Sequence, residues 1–262
     1  MLSYQHAYHA GNLADVHKHA VLAWILSRMT SKAKPISYIE THAGRGLYDL
    51  AGQEAAKTGE AAGGIARSED WFPAAHPYAR AIAAVRAKHG AAAYPGSPMI
   101  AALTLREGDR GDLAELHPAE HAALTEALAP WPLRVHKRDG GDLALSLAPP
   151  EPRRGLCLID PSWEVKEDYR TIPRLTRKLH KAWPVGVLML WYPLLDGRAE
   201  PSPHAPMLRA LEPDLTDAVR HEVRFPPARE GHRMAGSGLL IVNPPYGLHR
   251  ELESLSARFA ML

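Results

Sequence analysis

Cysteine is almost missing from this 262-residue chain, which has only Cys157. An internal disulfide is excluded, and so is a zinc site built on paired thiolates. Its place in the apolar string Leu156-Cys157-Leu158-Ile159 makes it a small buried hydrophobe. Long apolar runs are missing too. Nothing approaches the ~18 residues of a membrane span. The polar, His-rich first eleven residues have no apolar core of signal-peptide type, so a cytoplasmic protein off the membrane is expected. Charge of one sign is scarce: 31 Lys and Arg face 29 Asp and Glu, a net +2. The pI of about 8.6 is mildly basic. That falls short of the value above ~9 at which charge alone argues for nucleic-acid binding. There is no internal repeat and no coiled-coil heptad, so a monomer is expected.

What is present is enough apolar material for a sizeable core, 46% of residues, with an ordinary 23% charged. Short apolar strings alternate with helical periodicity. Strands are expected at residues 36–40, 113–116, 133–135, 155–159, 185–191 and 238–242. Helices are expected at 14–29, 78–89, 118–128 and 169–183, the last with apolar residues at Ile172, Leu175, Leu179 and Trp183. Such alternation implies a largely parallel sheet covered on both faces. Ligands of such sheets sit beyond the carboxyl ends of the strands. Residues 1–34 form an N-terminal arm and helix ahead of the first strand. Residues 50–95, rich in Ala, read as a small helical insertion within a single domain spanning 1–262. Residues 196–206, rich in Pro, Gly and charge, read as a surface loop.

Unusual residues cluster where the strands end. His42-Ala43-Gly44-Arg45-Gly46 follows the first strand, and its glycines permit tight turns and close approach to a ligand. A third glycine is absent, which argues against a nicotinamide cofactor. Glu115 closes the second strand, where an acid can accept hydrogen bonds from ribose hydroxyls, or can simply be a surface acid. Asp139-Gly140 follows the third, where the carboxylate can bind an adenine amino group, or where Asp-Gly can be an ordinary turn. No metal is required, and His117, His121 and His136 read as surface groups.

Leu158-Ile159-Asp160-Pro161-Ser162-Trp163 carries the most chemistry. A tetrapeptide of Asp or Asn, two prolines and an aromatic marks methyltransferases that act on base amino groups. An exocyclic amine donates its lone pair into the ring and is a poor nucleophile. The Asp160 carboxylate and the Pro161 carbonyl can each accept an amine N–H, favouring a pyramidal nitrogen whose lone pair faces the methyl donor. Trp163 offers a stacking face for a base flipped out of its stack. Ser162 stands where the pattern has its second proline, and Trp163 where Tyr or Phe is usual. Asn243-Pro244-Pro245-Tyr246 matches the Asn form letter for letter, but it follows the last strand. Position in the chain favours Asp160, and residues 243–246 read as a structural turn.

Several long strings resemble the RlmJ family of 23S ribosomal RNA adenine-N6 methyltransferases. They are Leu2-Ser3-Tyr4-Gln5-His6, His9-Ala10-Gly11-Asn12-Leu13-Ala14-Asp15-Val16-His17-Lys18-His19, Thr41-His42-Ala43-Gly44, Thr58-Gly59-Glu60, Gly64-Ile65, Tyr94-Pro95-Gly96-Ser97-Pro98, Glu115-Leu116-His117-Pro118 and Leu190-Trp191-Tyr192-Pro193. The resemblance runs from residue 1 to about 248. It implies an α/β, Rossmann-like class I fold dependent on S-adenosyl-L-methionine, with an inserted helical subdomain. It implies cofactor contacts at His19, His42, Ser97, Glu115, Asp139, Gly140 and Asp160, catalysis at Asp160, and substrate contacts at Tyr4 and Lys18. Taken singly, Tyr4, Lys18 and His19 carry little signal; Lys18, Arg28, Lys32 and Lys34 could touch phosphate, but each alone reads better as part of a solvated face. Position 40 is Glu where the family pattern usually has Asp. The implied partner is 23S rRNA, free or in an assembly intermediate. Methylation of DNA adenine and a catalytically weakened RNA-binding protein are the alternatives.

Overall fold

The computed structural model describes residues 5–196, 202–228 and 233–262. Nine strands are present among them: β1 Ser37–Glu40, β2 Leu47–Asp49, β3 Ala93–Pro95, β4 Arg110–Ala114, β5 Arg134–His136, β6 Gly155–Ile159, β7 Val187–Leu195, β8 Ala218–Arg224 and β9 Met234–Val242. Seven make one sheet in the order β5-β4-β1-β6-β7-β9-β8, and β2 pairs with β3 separately. The first five of the seven run parallel, while β9 runs antiparallel to both β7 and β8.

Helices cover both faces. They are α1 Leu13–Thr30, α2 Gln53–Thr58, α3 Glu60–Gly63, α4 Ile65–Ser68, α5 Pro77–His89, α6 Ser97–Thr104, α7 Pro118–Leu128, α8 Gly140–Leu147, α9 Asp168–Ala182, α10 His204–Leu211 and α11 Leu248–Phe259. The central strands alternate between two cores with a period of two. Tyr38, Leu156, Leu158, Met189 and Ile241 join the core under α1, α5, α6 and α11. Ile39, Cys157, Ile159, Leu190 and Leu240 join the core under α9 and α10. A strand buried on both faces needs apolar residues at every position, and this explains the uninterrupted string Gly155–Ile159.

Helix α1 is buried on nearly every side. It packs on α5, α6, α11 and β9. Its N-terminus is capped by Asn12, whose side chain accepts from the Asp15 N–H at 2.9 Å. A helix buried all round is apolar all round except where a polar group has a partner. The exceptions here, Asp15, His17, Lys18 and His19, are all buried and all paired.

Element boundaries differ from the sequence expectation mainly at chain ends of strands. β4 begins at Arg110 rather than 113, because its first residues pair with β1 from Ser37 onward. β7 runs on to Leu195, held by β9 from Leu188 onward. The expected loop at 196–206 already enters α10 at His204, while residues 197–201 lie outside the described residues. β8 is one of the sheet's two edge strands. Its Ala-Val-Arg-His-Glu-Val-Arg sequence buries only His221 and Val223, so it carried little apolar signal. Residues 50–95 hold α2 to α5, bounded by the antiparallel β2–β3 pair that joins Leu47 to Pro95. Among the described residues no helix is long and apolar enough to cross a membrane.

Candidate active site

A cavity of about 630 Å³ opens at the carboxyl ends of β1, β4, β5, β6 and β7, under the first turns of α1. Parallel strands create such a crevice because the loops leaving them splay to opposite faces. Four loops enter it. After β1, Gly44 and Gly46 adopt positive φ of 64° and 74°, which turns the chain back across the strand end. The Gly44 N–H donates to Glu115 Oε2 at 2.8 Å, and the His117 N–H donates to Oε1 at 2.7 Å. Both carboxylate oxygens are thereby held beyond the tip of β4. After β5, Asp139 caps α8 by accepting from the Asp142 N–H at 2.9 Å. Gly140 begins α8 so close to β1 that a Cβ there would lie 1.8 Å from the Thr41 carbonyl oxygen.

The β6 loop supplies Asp160. Its Oδ2 accepts from Lys18 Nζ at 2.6 Å, and the same ammonium lies 3.1 Å from Asp15 Oδ1. Asp15 also meets His6 Nε2 at 2.8 Å, and its Oδ2 accepts from the Gly11 N–H at 2.9 Å. Burial opposes charge on Asp15, yet His6, Lys18 and His19 together hold its carboxyl well below the usual carboxylate range. Burial likewise opposes the Lys18 ammonium, but Asp160 and then Asp15 outweigh it and raise the lysine above its ordinary value. Lys18 is therefore a buried, charge-paired group and not part of a solvated face. Nor is His19 solvated: it is 1% exposed, its Nδ1 meets the Tyr94 hydroxyl at 2.9 Å, and burial lowers its pKa to about 3.

Of the residues that sequence singled out, His19, His42, Ser97, Glu115, Asp139, Gly140, Asp160, Pro161, Trp163 and Lys18 all line this cavity. Ser97 donates to Glu40, whose other oxygen accepts from the Tyr38 hydroxyl at 2.8 Å. Burial pushes the Glu40 carboxyl up to about 8 despite these donors. Trp163 lies in the left-handed region at φ 58°. Its ring packs 4.7 Å from that of Tyr169, and its Nε1–H donates to the Trp191 carbonyl at 3.1 Å. Tyr4 lies outside the described residues. Sequence reasoning passed over Asp15, His6 and Trp191. For Asp15 a signal was available, since Asp15, Lys18 and His19 at spacings of three and four share one helix face.

Residues 243–246 do not reach the cavity. β9 is antiparallel, and Val242 pairs with Leu188 near the start of β7, so the chain leaves β9 at the amino ends of the parallel strands, opposite the cavity. There Asn243 takes a positive φ of 53° and its Nδ2 donates to the carbonyls of Pro184 at 2.8 Å and Gly186 at 2.7 Å. It is a turn lock.

The buried imidazoles give the fold an acid limit. His17 is held well below its ordinary value by burial and by His221, and His19 falls to about 3. Below about pH 6.5 the unfolded chain binds protons on both while the folded chain does not, so stability drops as pH falls. Glu40 works the other way, because the folded chain keeps a proton that the unfolded chain releases above its ordinary value near 4.5. His42, His204 and His221 are lowered by burial as well, so the histidines outweigh the one carboxyl and the net loss is on the order of 1 kcal/mol or more per pH unit. The melting temperature is expected to fall between pH 6.5 and 5. A flat or rising profile by scanning calorimetry would contradict these burials.

A largely parallel sheet with one antiparallel strand next to its edge, with acids at the tips of β4, β5 and β6 around one cavity, defines a class I S-adenosylmethionine-dependent methyltransferase. Comparison with known proteins narrows this. The family model described as "Ribosomal RNA large subunit methyltransferase D, RlmJ" matches residues 33–260. A protein of Escherichia coli (strain K12) named ribosomal RNA large subunit methyltransferase J is 36% identical over 97% of this chain and 91% of its own. A Haemophilus influenzae protein of the same name is 34% identical over 97% of this chain and 92% of its own. A crystal structure of a Legionella pneumophila protein superposes with a TM-score of 0.85 at 34% identity, covering 97% of this chain and 93% of that one. The chain belongs to the RlmJ family of ribosomal RNA large subunit methyltransferases.

Proposed function

We propose that this protein transfers the methyl group of S-adenosylmethionine to N6 of one adenine in large-subunit ribosomal RNA. The observation that carries the reading is Asp160, a carboxylate at the tip of the central strand β6, aimed into the same cavity as Glu115 and Asp139. The residues fit the cofactor. Glu115 presents a fixed carboxylate for ribose hydroxyls, Asp139 an exposed one for an adenine amino group, and Gly140 permits close backbone approach. His19, His42 and Ser97 complete the wall. When bound, the cofactor supplies an electrophilic methyl on a sulfonium centre.

The protein's own contribution is to prepare the amine. Asp160 and the Pro161 carbonyl accept its two N–H groups, which turns the lone pair out of conjugation with the ring. Fixing the nitrogen in line with the donor removes orientational freedom that would otherwise be lost during reaction. Asp160 takes the released proton during or after transfer. Lys18 sits beside Asp160 and serves the substrate, a role that the family pattern also assigns to Tyr4.

The target base must be extruded to reach this depth, so the substrate is protein-free 23S rRNA or an assembly intermediate and not the finished subunit. The protein acts as a cytoplasmic monomer without a metal. The test is transfer of labelled methyl from S-adenosylmethionine to protein-free 23S rRNA and to assembly intermediates, with duplex DNA in parallel. N6-methyladenosine in the RNA digest is the expected product. Label in DNA alone, in another nucleoside, or in neither RNA would overturn the reading.

A further inference from the structure

We infer that the aromatic face receiving the flipped base belongs to Trp191, and that the buried set Ser237–His17–His221 holds its indole in position. The inference rests on the proposed reaction at a base amine. In the parallel pairing of β6 and β7, Ile159 is opposite Leu190. One residue further along, Asp160 and Trp191 stand side by side where the strands enter the cavity, and both line it. Trp163 has less to offer a ligand. It is 7% exposed, packed against Tyr169, and tied by its own N–H to the backbone of Trp191. Trp191 is half-buried.

The position of Lys18 marks the place of the base. Its ammonium donates to Asp160 at 2.6 Å and lies 5.6 Å from the centre of the Trp191 ring. An exocyclic amine on a stacked adenine must satisfy the same two conditions, a hydrogen bond to Asp160 and a π face beneath. The lysine holds that position as a donor cation. Asp15, 3.1 Å from the same nitrogen, can keep the ammonium paired when the amine takes over at Asp160.

The indole is anchored from behind. Trp191 Nε1–H donates to Ser237 Oγ at 2.9 Å, Ser237 Oγ meets His17 Nδ1 at 2.8 Å, and His17 Nε2 meets His221 Nδ1 at 2.9 Å. His221 Nε2 in turn reaches Ser256 on α11 at 2.8 Å. His17 and Lys18 are neighbours on α1, so one turn of that helix fixes both the back of the indole and the Asp160 carboxylate. Ser237 and His17 do not line the cavity and reach it only through Trp191.

The experiment is steady-state methyl transfer into protein-free 23S rRNA by Trp191→Leu, Trp191→Phe and Ser237→Ala, with S-adenosylhomocysteine affinity measured by calorimetry in parallel. Stacking predicts that Trp191→Leu loses about 10- to 100-fold in kcat/KM and that Trp191→Phe recovers most of it. Ser237→Ala keeps the indole but frees it, and should raise KM for RNA about fivefold with kcat nearly unchanged. S-adenosylhomocysteine affinity stays at the wild-type value in all three. If wild type forms N6-methyladenosine while Trp191→Leu keeps kcat/KM within about twofold, the stacking role is wrong and the proposed reaction stands. A loss tracked by weakened S-adenosylhomocysteine binding, or no rescue by Phe, also overturns it. Should Trp191→Leu not fold, the KM of Ser237→Ala decides: an unchanged KM rejects the assignment.

Discussion

Asp160→Ala is expected to lower the turnover number by about three orders of magnitude, the scale of losing a transition-state hydrogen-bond group in a dry site. The affinity for S-adenosylmethionine should stay within about fivefold of wild type, because Glu115, Asp139 and Gly140 hold their places by contacts of their own. The variant should also fold. Removing one partner of a buried ion pair commonly costs about 3–5 kcal/mol, but Lys18 keeps Asp15 at 3.1 Å. Asp160→Asn separates the two roles of the carboxylate. It retains an oxygen that accepts the amine N–H but cannot take the proton, so it should fall between wild type and Asp160→Ala. Single-turnover transfer of labelled methyl, with binding measured by calorimetry, checks each part. Normal turnover by Asp160→Ala would remove the catalytic assignment. Asn243→Ala is the matched control. It alters the better literal copy of the motif at the far end of the strands, and turnover should be unchanged.

How much of this was legible in the chain depends on whether a feature is local. The strand at 155–159 could be read residue for residue, since burial on both faces writes itself as an unbroken apolar string. The acids at Glu115, Asp139 and Asp160 could be found because parallel topology puts every strand's carboxyl end on one side, so each sits a few residues after an apolar string. β8 was hidden because an edge strand buries only one residue in two, and here the buried ones include a histidine. Lys18 could not be placed. Its partner Asp160 is 142 residues away, and a lone lysine in a helix says nothing about which face meets a carboxylate. Chain order alone separates Asp160 from Asn243 in the sequence. The physical reason is strand direction: β9 is reversed, so its end faces away from the cavity. Trp191 stands out only within the string Leu190-Trp191-Tyr192-Pro193, and nothing local shows that its indole turns toward Asp160.

Gly140→Ala is expected to be the most damaging single methyl that can be added around the cavity. Gly140 opens α8 directly against the chain leaving β1, and an alanine Cβ would lie 1.8 Å from the Thr41 oxygen, 2.5 Å from its carbonyl carbon and 2.6 Å from its Cα. All three are backbone atoms, so no side chain can swing away. Thr41 cannot retreat either, because its N–H donates to the Leu158 carbonyl at 3.1 Å and the Ala43 N–H donates to the Ala114 carbonyl at 3.0 Å. The start of α8 must move, and Asp139 moves with it as the residue that caps the helix. Overpacking of this kind costs about 1–3 kcal/mol or more. At this chain length that is a melting temperature lower by about 2–10 °C. Cofactor affinity should fall as well, by about tenfold or more for a displaced hydrogen-bonding carboxylate. Gly141→Ala, one position along, should behave differently. Its Cβ would meet only the end of the Leu175 side chain at 3.1 Å and Asp139 Oδ1 at 3.2 Å. Leu175 can shift, and alanine is favoured over glycine inside a helix by up to about 1 kcal/mol. Thermal melts and S-adenosylmethionine titrations of the two variants side by side provide the check. Equal behaviour of the pair would show that the close approach of α8 to Thr41 is not what shapes this wall of the cavity.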